Sequence, residues 1–214
     1  MLSANIIHHL SPAGDYPVST NQYNDYGWHH EILSKFQQLL THATSMHNKI
    51  FFMSFTVTFP LSGDASAYPP DNSYFICYIS KLMTTLKRDG LSPLYLWTRE
   101  HASYGQHQHY HVYLLLNGSK TYSCYMHLLK AESLWNSTLG LPQGNHGLIN
   151  HDAITIGNIS YHNGIMLRRD SIDYEATLSL IFTIASYACK AYSKGNAGKG
   201  NREYGSSLLH TRSF

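Results

Sequence analysis

Two imidazoles flank a single residue at the head of an apolar run, HQHYHVYLLLNG, residues 107–118. In an extended strand His109 and His111 point to one side while Tyr110, Val112, Leu114 and Leu116 point to the other, which makes the two histidines a metal-binding pair. The preceding segment LYLWTRE, residues 94–100, starts after Pro93 and reads as a second strand ending in Glu100. A Gly-containing polar connection joins the two, so an antiparallel hairpin brings Glu100 to His109 and His111. Two imidazoles and one carboxylate, with further positions left to water or substrate, describe an open catalytic metal site rather than a closed structural one. His107 continues the alternation and is able to take the place of either histidine. The plain alternative is an exposed hairpin in a chain with 15 histidines.

A second constellation lies in IASYACKAYSK, residues 184–194. On a helix at about 100° per residue Tyr187, Lys190 and Lys194 share one face, Lys194 only about 20° from Tyr187, whereas Tyr192 lies about 140° away. A phenol beside two ammonium groups ionises more easily, as a tyrosine nucleophile requires. With 17 tyrosines in the chain, one followed by a lysine three residues on is also expected by coincidence.

The elements that must carry these groups follow from periodicity. Residues 28–47 place Ile32, Phe36, Leu39 and Leu40 on one helical face, and IFFMSFTVTFP, residues 50–60, reads as a central strand stopped by Pro60. Residues 72–88 predict a helix stopped by Gly90, residues 122–140 another closed by Gly140, and residues 172–194 the last. Between them ITIGNISY and GIMLRRD read as short strands separated by Gly-containing loops. The order strand, helix, strand, strand, helix, strand, helix predicts an α+β fold. Its form is a split β-α-β (RRM-like) two-layer sandwich, one mostly antiparallel sheet with helices packed on one face. Residues 1–27 read as an irregular N-terminal extension, 28–194 as the domain, and 195–214 as a basic Gly/Ser-rich tail. No internal repeat is visible.

A chain of 214 residues with 43% hydrophobic content buries one sizeable core, and 13% charged residues exclude a disordered polyelectrolyte. A net charge of +2 does not announce a nucleic-acid binder. Positive charge is concentrated late, however, from Arg168 through Lys190, Lys194, Lys199, Arg202 and Arg212. Arg99, Arg168, Arg169 and the segment from Lys194 through Lys199 to Arg202 are candidates for tracking a phosphate backbone, with tyrosines stacking on bases. Ordinary surface charge is the alternative for each. Cys77, Cys124 and Cys189 lack C-x-x-C spacing and fit reduced thiols in the cytoplasm. No signal peptide or membrane span is expected, since the longest apolar run is too short.

An apolar first strand FFMSFTVTFP, the strand LYLWTRE, then HYHVYLLLNG, then SYACK form an ordered set. That set resembles the HUH endonucleases, the rolling-circle replication initiators, over roughly residues 28–194. More narrowly it is similar to the inovirus-type replication proteins, which include the YagK/YfjJ C-terminal domain proteins found in prophages. Tyr110, an aromatic between the two histidines, departs from the usual hydrophobic residue there. The resemblance implies an endonuclease and strand transferase acting on single-stranded or hairpin DNA in replication. Glu100, His109 and His111 would hold one divalent metal, Mg²⁺ or Mn²⁺, Tyr187 would form a 5′-phosphotyrosine intermediate, and Lys190 would assist, with Lys194 a weaker candidate. A helicase, such as the host's, would be a separate partner, and no nucleotide-binding G-x-x-x-x-G-K-[ST] loop is present. Two other functions fit the residues: a non-cleaving prophage DNA-binding protein, and a metal-dependent hydrolase using activated water.

Overall fold

The apolar run after Asn48 forms β1 (Lys49–Val57) in a computed structural model that describes residues 29–60, 68–100, 108–152, 154–156, 159–190 and 201–209. In chain order the elements are α1 (His30–Met46), β1, α2 (Ser73–Arg88), β2 (Leu94–Glu100), β3 (His109–Asn117), α3 (Tyr125–Leu139), β4 (Ile149–His151), β5 (Ile154–Ile156), β6 (Ile159–Tyr161), β7 (Ile165–Arg168), α4 (Tyr174–Ser186), a 3₁₀ turn (Tyr187–Cys189) and β8 (Tyr204–Ser206). The main sheet runs β4-β1-β3-β2-β8, and β7 joins β4 on the same edge of β1. Every pairing is antiparallel. β5 and β6 form a separate two-stranded ribbon.

β1 and β3 are apolar almost throughout because both of their faces are covered. Phe51, Met53, Phe55 and Val57 of β1 meet Val112, Leu114 and Leu116 of β3 under α2 and α3. Ile50 and Phe52 lie on the other side with Tyr113 and Leu115, under α1 and α4. There the Phe36 ring of α1 packs 6.3 Å from Phe52, 6.3 Å from Tyr113 and 6.1 Å from Phe182 of α4. Burial of a Leu, Ile or Phe side chain stabilises by roughly 1.5–3 kcal/mol. Packing of these faces, more than intrinsic propensity, therefore holds the helices.

The α+β class and the antiparallel sheet are as expected from the sequence. The split β-α-β core is β1-α2-β2-β3-α3 with β4 and β7, and α2 and α3 cover one face of it. The helices do not keep to that one face: α1 and α4 add a layer on the other, because β1 and β3 are apolar on both sides.

The sequence read residues 195–214 as a tail, yet Tyr204–Ser206 form the edge strand β8 against β2. Gly205 explains the pairing. A Cβ at that position would lie 2.7 Å from the buried Trp97 indole, so only glycine lets the backbone approach. Gly205→Ala is expected to destabilise the protein by about 1–3 kcal/mol, the cost of overpacking a buried ring. Urea unfolding measures this, and an unchanged midpoint would show that β8 contributes nothing.

Acid sensitivity also follows from burial. Desolvation holds His47, His127 and His151 below the ordinary histidine range, and His127 is enclosed with its Nε2 2.7 Å from Thr121 Oγ1. Below about pH 6.5 the unfolded chain takes up protons at these positions that the folded chain does not, so stability falls with acidification. Asp152 acts in the opposite sense, since burial raises its carboxyl and the folded state is then the one that binds the proton first. Through these three imidazoles the thermal midpoint is expected to drop between pH 7.5 and pH 5.5 at constant ionic strength. A flat profile would contradict the burial of these imidazoles.

Candidate metal centre

Strand register assembles the centre. Glu100 pairs with His109 across β2 and β3, and His111 is paired with Thr98 on one side and Thr56 of β1 on the other. Cross-strand partners share a face, so Glu100, Thr98, His109, His111 and Thr56 all point toward the α1 and α4 layer. Glu100 Oε2 lies 3.2 Å from His109 Nε2 and 3.3 Å from His111 Nε2. One ligand atom from each of the three lies within 4.8 Å of the others.

These separations suit a hard divalent cation. Two ligands at about 2.1 Å and at right angles on an octahedral ion are about 3.0 Å apart. The donor set, one carboxylate and two imidazoles, accepts Mg²⁺ or Mn²⁺ and leaves coordination positions for water or a phosphate oxygen. Among the described residues the Nε2 of His111 is buried and makes no hydrogen bond, although the carboxylate is close. Thr98 Oγ1 beside it is likewise buried and unpartnered. Buried polar atoms without partners are costly, and a cation reached by His111 Nε2 would relieve that cost. The His109 side chain is 27% exposed against 13% for Glu100 and His111, so the open side of the centre lies toward His109.

Tyr187 stands next to this cluster. Its ring is 6.4 Å from that of His111 and nearly perpendicular to it, at 83°. The helix expected over residues 172–194 ends at Ser186, and Tyr187 opens the 3₁₀ turn. The tighter turn alters the geometry but keeps the pair together, because residues three apart eclipse in a 3₁₀ turn. Lys190 is 4% exposed, and its Nζ lies 2.9 Å from the centroid of the Tyr187 ring. The ammonium thus sits over the face of the phenol, a cation–π contact strengthened by desolvation. The turn is anchored to α1 by the His29 N–H, which donates to the Cys189 carbonyl at 2.8 Å.

Tyr113, two residues beyond His111 on the same face, forms the floor of the centre. Burial pushes its hydroxyl well above the usual tyrosine range, and the nearby Asp152 and Glu100 carboxylates add to the effect. It stays protonated and is no rival to Tyr187 as nucleophile.

Five residues expected from sequence, Glu100, His109, His111, Tyr187 and Lys190, are brought together. Arg99 is not among them. One residue from Glu100 it points to the opposite face, where it is 1% exposed. Its guanidinium donates to Pro70 O at 2.7 Å, Gln108 Oε1 at 2.9 Å and Asn72 Oδ1 at 3.2 Å. Buried in that network, Arg99 acts as a structural clamp and is not part of the exposed surface, contrary to its expected place among the phosphate-tracking residues. Tyr110 belongs to the same network, donating to Asn72 Oδ1 at 2.9 Å and stacking on Phe75 at 3.8 Å. Burial raises its hydroxyl to about 12. The aromatic residue between the histidines therefore anchors β3 to α2.

Arg202 is exposed, and it precedes Tyr204, the partner of Thr98, so its backbone lies near the level of Glu100. Arg168 is exposed, while the Arg169 guanidinium donates to the Thr44 carbonyl near the end of α1. His107, Tyr192, Lys194, Lys199 and Arg212 lie outside the described residues.

Sequence reasoning missed Thr56 and Asp152. Thr56 donates to Asp152 Oδ1 at 2.8 Å and lies 3.1 Å from His111 Nδ1. Nothing local marks either residue, because their proximity depends on β4 pairing with β1 across almost a hundred residues of chain.

None of the described helices is long and apolar enough to cross a membrane. No curated protein matches the chain. The family model of the YagK/YfjJ C-terminal domain matches residues 15–207, nearly the whole sequence. With β1 to β8 and the cluster of Glu100, His109 and His111 all inside that match, the chain belongs to the YagK/YfjJ C-terminal domain family.

Proposed function

We propose that this protein nicks and rejoins single-stranded DNA through a covalent phosphotyrosine, as an HUH-type initiator of rolling-circle replication. The single observation that carries the reading is the Tyr187 ring 6.4 Å from the His111 ring, beside a cluster of one carboxylate and two imidazoles. A structural metal site has no need of a phenol at that distance with a buried ammonium over its face.

Glu100, His109 and His111 would hold the cation and leave part of its coordination sphere to the scissile phosphate. A divalent ion held there would supply Lewis acidity, polarising a phosphate oxygen and offsetting the charge that develops in the transition state. Tyr187 Oη attacks phosphorus and loses its proton to solvent, while the bond to the 3′ oxygen breaks and that oxygen takes up a proton. The products are a free 3′ hydroxyl and a 5′ phosphate esterified to Tyr187. One phosphoester replaces another, so a second 3′ hydroxyl can reverse the step and join strands without a nucleotide cofactor. Lys190 Nζ, held over the Tyr187 ring, supplies positive potential as the phenol loses its proton. Arg202, with Lys194 and Lys199, is the candidate contact to the DNA backbone. Strand separation would fall to a separate helicase, and cytoplasmic action in a phage or prophage setting fits such a partner.

The test is incubation with a pool of single-stranded and hairpin oligonucleotides in Mn²⁺, followed by denaturing electrophoresis. The reading expects a protein adduct that retains a 3′ label and a released 5′-labelled fragment ending in a 3′ hydroxyl. Cleavage without an adduct would instead favour hydrolysis by activated water. Retention of DNA with neither product would favour a binding protein.

A further inference from the structure

We propose that Thr56 and Asp152 form a hydrogen-bond relay that fixes the tautomer of His111 and thereby presents its Nε2 lone pair to a divalent cation. Two distances carry the argument. Thr56 Oγ1 is 2.8 Å from Asp152 Oδ1 and 3.1 Å from His111 Nδ1. A threonine hydroxyl has one hydrogen. Asp152 as a carboxylate only accepts, so the Thr56 hydrogen is directed to it. Toward His111 the Thr56 oxygen then has only lone pairs to offer, and the Nδ1 must be the donor. A neutral imidazole with its proton on Nδ1 has a bare lone pair on Nε2, the atom 3.3 Å from Glu100 Oε2.

The buried environment of Nε2 agrees with this assignment. That atom makes no hydrogen bond among the described residues: Glu100 Oε2 lies 3.3 Å away but outside hydrogen-bond geometry for an N–H at Nε2. The relay is held from both ends by the sheet. Thr56 pairs with His111 across β1 and β3 and with Asn150 across β1 and β4. Asp152 directly follows β4, and its N–H donates to Ser54 O at 3.4 Å. Carboxylate and hydroxyl groups behind a metal-binding imidazole orient the ring and raise its basicity. Thr56 and Asp152 are positioning residues, since neither is in the ligand cluster.

This inference rests on the metal reading of the centre for its purpose, but its test begins without metal. Long-range ¹H–¹⁵N correlation of metal-free protein is expected to show the His111 ring proton on Nδ1 and none on Nε2. Thr56→Val, nearly isosteric, removes the acceptor and is expected to shift His111 toward the Nε2–H form. The same variant should weaken Mn²⁺ binding by roughly 10–100-fold, the usual effect of losing a group behind a metal ligand. Thr56→Ser should restore both the tautomer and the affinity, a recovery that a packing defect would not show. Asp152→Ala serves as an independent break in the relay should Thr56→Val fold poorly. A wild-type His111 carrying its proton on Nε2, or an unchanged tautomer in both Thr56→Val and Asp152→Ala, would overturn the relay. Wild-type protein with the Nδ1–H form but no Mn²⁺ binding would leave the relay standing and remove the metal reading instead.

Discussion

Tyr187→Phe is expected to abolish both strand cleavage and covalent adduct, with a rate loss on the order of 10⁴-fold or more, while the protein still folds and binds Mn²⁺. The substitution deletes one oxygen and keeps the ring. Lys190 Nζ lies over the ring face, 2.9 Å from its centroid, and that contact survives the change. None of the three ligand atoms belongs to Tyr187. A nucleophile that forms a covalent bond to phosphorus cannot be replaced by a hydrogen, whereas a tyrosine that merely packs beside the centre can. Cleavage that persists in Tyr187→Phe would assign the reaction to water and retire the phosphotyrosine intermediate. Oligonucleotides cleaved by the wild type supply the substrate, and single-turnover rates with calorimetric Mn²⁺ titration supply the two readouts.

The second large effect concerns the ligands. His111→Ala is expected to weaken Mn²⁺ binding by at least about 100-fold, more than the loss of a supporting group behind a ligand, and cleavage by at least about 10³-fold. A carboxylate and one imidazole hold a divalent ion far less well than the full set, and the remaining positions would be taken by water. Stability gives an independent readout. A ligand that binds only the folded state adds about 2.7 kcal/mol at 100 times its dissociation constant. The thermal midpoint of the wild type should therefore rise with added Mn²⁺, and that of His111→Ala should stay flat at the same concentrations. An equal rise in both proteins would locate the ion elsewhere.

The parts of this molecule readable from sequence are those whose partners are close along the chain. His109 and His111 share a face by strand alternation alone, and Glu100 joins them through a hairpin. The amphipathic stripes of α1 and α2 and the glycines after α2 and α3 are equally local signals. Gly140, at a φ of 71°, ends α3 in the left-handed conformation that glycine favours. Tyr187 and Lys190 were placed together by helical spacing, and a 3₁₀ turn keeps them together by a different rotation per residue.

What could not be read depends on distant pairing. Thr56 and Asp152 meet only because β4 adds to the edge of β1. β8 was hidden because a Gly/Ser-rich composition resembles a tail, and the need for Gly205 becomes visible only once Trp97 lies beneath it. Arg99 shows how far one residue matters in a strand. Its charge suggested phosphate contact, but alternation turns it away from Glu100 into a buried network with Asn72 and Gln108. The burial of both sheet faces could have been suspected from the nearly unbroken apolar character of β1 and β3, which a half-exposed strand does not have.

The central claim is that Glu100, His109 and His111 converge on one divalent cation with Tyr187 facing it. Anomalous diffraction from crystals soaked in Mn²⁺ tests it most directly. The account predicts one strong peak at about 2.0–2.3 Å from a Glu100 carboxylate oxygen and from the Nε2 atoms of His109 and His111, with the Tyr187 hydroxyl on its open side. A peak bound by other residues, or none at saturating Mn²⁺, would contradict it.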